Sequence, residues 1–221
     1  MGLPPLTVGG LAELNASNLP PSQLFENLSK YEGQAALIAA SNSSPETGST
    51  NPELLSLFYS SFFFSHLLSQ QKPEARALTQ RMPQILQQQD PTVQNCLALL
   101  QALWRTEHAQ VFHILGTSSW PEAIRPLVQR YERFFQDQSL IAVSTSYQAI
   151  RLEVAANYLG LDQQAAAQGD PSIVQRFTEF GWRWDPETRL LHPTPISVPT
   201  TDKQSGHGIR DTMAMLGSRS N

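Results

Sequence analysis

The stretch GWRWDPETRLLHP runs from Gly181 to Pro193, near the end of a chain whose other patterned segments read as helix. Trp182 and Trp184 alternate along a short strand, Asp185-Pro186-Glu187 supplies a turn signal, and Leu190-Leu191 form an apolar return. This is a hairpin carrying two of the four tryptophans of the chain. A nucleic-acid reader, a cofactor lid and a docking edge would each use one.

The segments before it narrow the choice. SLIAVSTSYQAI (Ser139–Ile150) mixes β-branched residues with a possible helix, and RLEVAANYLGL (Arg151–Leu161) reads as a short helix ended by Gly160. DQQAAAQGDP (Asp162–Pro171) is a small-residue stretch, and PSIVQRFTEFG (Pro171–Gly181) is a further helix ended by Gly181. Three helices followed by a two-stranded wing is the element order of a winged helix.

Further upstream, residues 22–138 carry apolar residues at helical spacing, punctuated by cap-plus-proline starts at Asn51-Pro52 and Asp90-Pro91 and by a further helix start at Trp120-Pro121. About six helices joined by short connections are expected there, stacked as a bundle or a short solenoid. The helix after Pro52, LLSLFYSSFFFSHLL (Leu54–Leu68), is apolar on nearly every side and should be central to the core. Pro83 should kink or split the Lys72–Gln89 helix, and Pro126 falls in the second turn of the helix opened at Trp120-Pro121. Residues 1–21, rich in Pro, Gly and Asn, read as a loose leader. The fold class is mainly α, with a helical-repeat domain at 22–138, a winged-helix subdomain at 139–195, and a linker with a short C-terminal helix at 196–221. In that tail Ile209, Met213 and Leu216 share one helix face.

Only 15% of the 221 residues are charged, which suits a subunit covered by partners, and the net charge of −4 disfavours general binding to phosphate backbones. Cys96 is the only cysteine, so no intrachain disulfide forms, and its apolar helical setting reads as a core thiol. No run is apolar and long enough for a membrane span, and MGLPPLTVGG lacks the pattern of a signal peptide. An intracellular protein is expected, in cytoplasm and nucleus, and the sequons at Asn15, Asn27 and Asn42 should be silent.

The search for chemistry returns little. His66, His108, His113, His192 and His207 show no metal-ligand spacing; His108 and His113 are five apart, which sends them to different helix faces. There is no nucleophile elbow, phosphate-binding loop or dinucleotide fingerprint. No catalytic residue, metal or cofactor is expected. A winged helix that binds DNA needs Lys and Arg on its third helix and wing. Residues 139–193 instead hold four arginines, no lysine and six acids. Trp182 and Trp184 lie on one strand face, so they pack on the helices beneath or on a neighbouring protein, with base stacking the weaker reading.

At Ala142-Val143-Ser144 with Tyr147, at Tyr158-Leu159-Gly160-Leu161, and at Gly181-Trp182 with Thr188-Arg189 and Pro193, the sequence resembles the PCI-type winged-helix family. That family is shared by the COP9 signalosome, the proteasome regulatory lid and an initiation factor complex. ARALTQRMP (Ala75–Pro83) and Trp120-Pro121 match in place, and the resemblance, strongest to the signalosome branch, covers roughly 54–195. It implies a non-catalytic structural subunit of the complex that removes Nedd8 from cullin-RING ubiquitin ligases, the hydrolysis belonging to another subunit. It also implies partners among the other signalosome subunits. They would be reached through a wing interface at Trp182, Arg183, Trp184, Arg189, Leu190 and Leu191, and through a tail helix at Ile209, Met213 and Leu216. The lid or initiation-factor counterpart, and a winged-helix nucleic-acid binder, are the alternatives. Asp162–Pro171 is longer than the family pattern, which leaves the start of the third winged-helix element open.

Overall fold

A computed structural model describes residues 3–41 and 52–194. Its organising element is the helix α4 (Pro52–Leu68), in which every residue from Leu54 to Leu68 is buried. Helices α1 (Val8–Ala16), α2 (Pro21–Ser29), α3 (Glu32–Ser41), α5 (Lys72–Arg81), α7 (Pro91–Arg105) and α9 (Arg125–Ser146) surround it. α6 (Gln84–Gln89) and α8 (His108–Thr117) pack on α7. A helix enclosed on all sides must satisfy its polar side chains internally. Ser61 Oγ therefore donates to the Leu57 carbonyl (2.7 Å), Ser65 Oγ to the Phe62 carbonyl (2.7 Å), and Ser56 Oγ to Asp90 Oδ1 (2.8 Å). Phe58, Phe62, Phe63 and Phe64 fill the centre of this core.

The punctuation read from the sequence sets most of these boundaries. Pro83 splits α5 from α6, with Met82 and Pro83 both in extended backbone. Asp90 caps α7, its Oδ1 accepting the Val93 N–H at 2.8 Å. The same oxygen takes the Ser56 hydroxyl, so one carboxylate ties the start of α7 to α4. Asp90→Ala is expected to remove both bonds and lower stability by about 1–2 kcal/mol, read as a shift in the denaturant midpoint with unchanged slope.

Three expectations are corrected. The stretch expected as a loose leader at 1–21 is structured over its described residues: α1 is capped by Thr7, whose Oγ1 accepts the Gly10 N–H, and it buries Leu11 and Asn15 against α4 and α9. Asn15, 2% exposed, donates its Nδ2 to Ser61 Oγ and the Ala123 carbonyl, both at 2.8 Å. The chain before α1 is held by the Gln34 side-chain amide, which accepts from Leu6 N–H (2.9 Å) and donates to the Pro4 carbonyl (3.2 Å). Second, the stretch from Trp120 begins as a turn, with Ile124 N–H donating to the Pro121 carbonyl. α9 starts only at Arg125, so Pro126 sits in its first turn, where a missing N–H costs nothing. Third, α9 continues without a break to Ser146, across the boundary expected at 138/139. Its first half belongs to the core around α4 through Leu127, Val128 and Tyr131. Its second half belongs to a second hydrophobic cluster through Leu140 and Val143.

That second cluster holds β1 (Ile150–Arg151), α10 (Leu152–Tyr158), α11 (Gln163–Gln168), α12 (Pro171–Glu179), β2 (Arg183–Asp185) and β3 (Leu190–His192). The small-residue stretch after Leu161 is the helix α11, capped by Asp162 and ended by Gly169 in the left-handed region at φ +78°. Asp170 then caps α12.

Candidate docking site on the winged helix

The hairpin at Gly181–Pro193 is part of a three-stranded antiparallel sheet in the order β1-β3-β2. Leu191 pairs with Trp184 on one side and with Ile150 on the other; Leu190 pairs with Asp185 and Arg151. Because paired residues point to the same face, Ile150, Trp184 and the fully buried Leu191 look toward the helices. Arg151, Arg183, Asp185, Leu190 and His192 look away from them.

The turn is built by Asp185, whose Oδ1 accepts the Glu187 N–H (3.0 Å) and whose Oδ2 accepts the Thr188 hydroxyl (2.8 Å). These bonds, Thr188 foremost, hold its carboxyl below the usual range. Arg189 closes the turn in the left-handed region at φ +55°. At the open end Thr194 Oγ1 donates to the Gly181 carbonyl at 2.7 Å.

The wing residues named from the sequence therefore divide. Trp182 is 3% exposed and stacks on Phe177 with ring centroids 5.1 Å apart, and its backbone N–H donates to the Phe177 carbonyl. Leu191 is wholly buried. Neither can meet a partner, which corrects their assignment to an interface, and Trp182 cannot stack on a base. Trp184 packs on the same cluster but is only half-buried. Arg183 and Arg189 are exposed, and Leu190 is half-buried on the outer face. Since β3 has a neighbour on both sides, the strand edges left unpaired among the described residues belong to β2 and β1. β1 left no sequence signal beyond one β-branched residue. Ile209, Met213 and Leu216 lie outside the described residues.

Besides the continuous helix α9, the module is fixed to the helical array where α10 meets α8. Gly160, at φ +68°, lies directly over the Phe112 ring of α8. His108 of α8 stacks on Phe135 of α9 at 5.3 Å and meets Tyr158 of α10 edge-on at 4.8 Å, while its Nδ1 is 3.3 Å from Ser139 Oγ. Burial, with Lys72 adding to it, holds the His108 imidazole below its ordinary pKa. His66 in α4, between Phe25 and Phe62 and bonded through Nδ1 to Gln71 Oε1, is lowered mainly by burial too.

A histidine whose folded pKa is depressed binds fewer protons folded than unfolded. Stability is then complete above the ordinary value of about 6.5 and is lost as pH falls from there toward the lowered value. The thermal midpoint should drop between pH 7 and pH 5, and His66→Phe should drop less steeply over that window than the parent chain.

No His, Cys, Asp or Glu cluster that could hold a metal occurs among the described residues, and burial pushes the Cys96 thiol up to about 12, where it stays protonated. What the module offers is a short sheet whose β1 and β2 edges are unpaired among the described residues, carried on a helical stem.

Residues 53–202 match the profile of the CSN8/PSMD8/EIF3K family. The chain belongs to that family. It is 42% identical over 220 residues, 99% of each chain, to a protein named COP9 signalosome complex subunit 8 from Emericella nidulans. Proteins of the same name from Danio rerio and Dictyostelium discoideum are 24% and 20% identical, over 72% and 73% of this chain and 81% and 79% of theirs. The fold is that expected of a PCI-type member: mainly helical, with a small antiparallel sheet toward the C-terminus.

Proposed function

We propose that this chain is a non-catalytic structural subunit of the COP9 signalosome, the complex that removes Nedd8 from cullin-RING ligases. The observation that carries the reading is the end-to-end 42% identity to a protein named as subunit 8 of that complex. Its neighbours are other signalosome subunits, its link to cullin-RING ligases is indirect, and it works in cytoplasm and nucleus. Docking proceeds by strand addition at the β2 edge, with Arg183, Trp184 and Arg189 beside it. The Ile209–Leu216 stretch, whose apolar residues are spaced for one helix face, supplies a second contact.

Affinity purification of the tagged full chain, with identification of the co-purifying proteins, tests this reading. Signalosome subunits are expected, and Met213→Asp with Leu216→Asp should reduce their recovery. Recovery of proteasome-lid or initiation-factor subunits instead would reassign the chain within its family.

A further inference from the structure

Where α8 and α9 meet the winged helix they leave an open groove of about 580 Å³. Its apolar floor includes the half-buried Phe112 of α8 and Leu161 after α10. Glu132 of α9 and Arg176 of α12 stand on its rim, and the exposed Ala109 and Gly116 of α8 keep one wall low. At Gly116 even an added Cβ would meet nothing within 4 Å.

The chain leaves its described part close to this rim. Thr194 is tied to the Gly181 carbonyl, and Gly181 follows α12, whose last turn holds Arg176. The exit point is thus within about 10 Å of the groove. Beyond it the sequence carries Ile209, Met213 and Leu216 at the spacing of one helix face, with Arg210 on the flank of that face. So short a helix is marginal in water until its apolar face is covered. The linker 195–208 has an end-to-end distance of about 20 Å, enough to reach the groove. Tethering also keeps the stretch near the groove at an effective concentration of about 1 mM, which a second copy at micromolar concentration does not match.

We propose that in the free subunit the Ile209–Leu216 stretch folds back as a helix into this groove of its own chain. Ile209, Met213 and Leu216 then cover Phe112 and Leu161, and Arg210 meets Glu132. On assembly the helix leaves the groove for the contact with other subunits proposed above. Its apolar face is covered internally before assembly and externally after it, which keeps an exposed apolar patch from non-specific association. The inference rests on the chain being a subunit whose tail docks on others.

A photo-cross-linking amino acid at Ala109 of the purified full chain tests it, with isotopically light and heavy copies mixed so that products within and between molecules differ in mass. The expected product joins Ala109 to the peptide holding Met213 of the same molecule. Met213→Asp with Leu216→Asp should lower its yield by about tenfold. Arg210→Glu should lower it by about threefold, and Glu132→Arg added to Arg210→Glu should restore it. The product should vanish when the chain is purified within its assembly. Cross-links only to neighbouring helices of the described part overturn the fold-back, and co-purification of other subunits then leaves the subunit reading intact. Products joining light to heavy copies overturn it in favour of a second copy as occupant. A cross-link of equal yield in the free chain and in the assembly overturns the exchange. A chain that shows the internal product but co-purifies with no other subunit keeps the fold-back and overturns the subunit reading.

Discussion

Gly160→Ala is expected to destabilise the protein by about 3 kcal/mol, a fall of roughly 6–12 °C in the thermal midpoint for a chain of this length. Two penalties combine. The backbone at Gly160 is left-handed at φ +68°, where a side chain is strained by about 1–2 kcal/mol. A Cβ there would also lie 2.2 Å from Phe112 Cγ and 2.5 Å from Phe112 Cβ. The second atom is anchored to α8, so the ring cannot rotate clear; the helix itself must retreat from α10. Gly169→Ala separates the two effects, because Gly169 has φ +78° and open space where a Cβ would go. It should cost only the backbone strain. Phe112→Ala placed on Gly160→Ala should recover only the part of the steric penalty that comes from the ring, because alanine keeps the Cβ that would lie 2.5 Å away, as measured by a double-mutant cycle. Equal losses for Gly160→Ala and Gly169→Ala would show that the joint between stem and winged helix is not close-packed.

How far the sequence disclosed this joint depends on which interactions are local. The caps of α7, α11 and α12, the split at Pro83, and the ends at Gly160 and Gly181 are decided within a few residues; the α7 cap, the split and the two glycine ends read off directly, while the caps at Asp162 and Asp170 were hidden in a stretch read as small residues without structure. The enclosed helix α4 was equally plain from its composition. α1 was not, because Gly9 and Gly10 argue against helix, while Asn15's bonds to Ser61 and Ala123 come from distant segments. The continuity of α9 was hidden for a related reason. Its apolar stripe changes partners between Tyr131 and Leu140, and a change of partner resembles a change of element. β1 is two residues long and exists because β3 needs a second neighbour. The packing of Phe112 under Gly160 left no local trace at all.

The two wing tryptophans should respond oppositely to substitution. Trp182→Ala removes a side chain that is 3% exposed and stacked on Phe177 at the centre of the second cluster. A loss of about 3–5 kcal/mol is expected, with the winged helix the first region to lose amide protection. Trp182→Phe should cost far less. Most of the aromatic surface stays, and the indole N–H it deletes has no acceptor among the described residues. Trp184 lies on the same face of the sheet, opposite Leu191, but keeps part of its surface at the β2 edge. Trp184→Ala should lower stability by only about 1 kcal/mol yet reduce recovery of partner subunits more than Trp182→Phe does. The physical reason is position in the sheet: β3 is flanked on both sides, β2 on one, so surface exposed along β2 is available to another chain. Loss of stability at Trp184 as large as at Trp182, with partner recovery unchanged by either conservative variant, would place the docking surface elsewhere, with the outer face of Arg151, Leu190 and His192 the next to test.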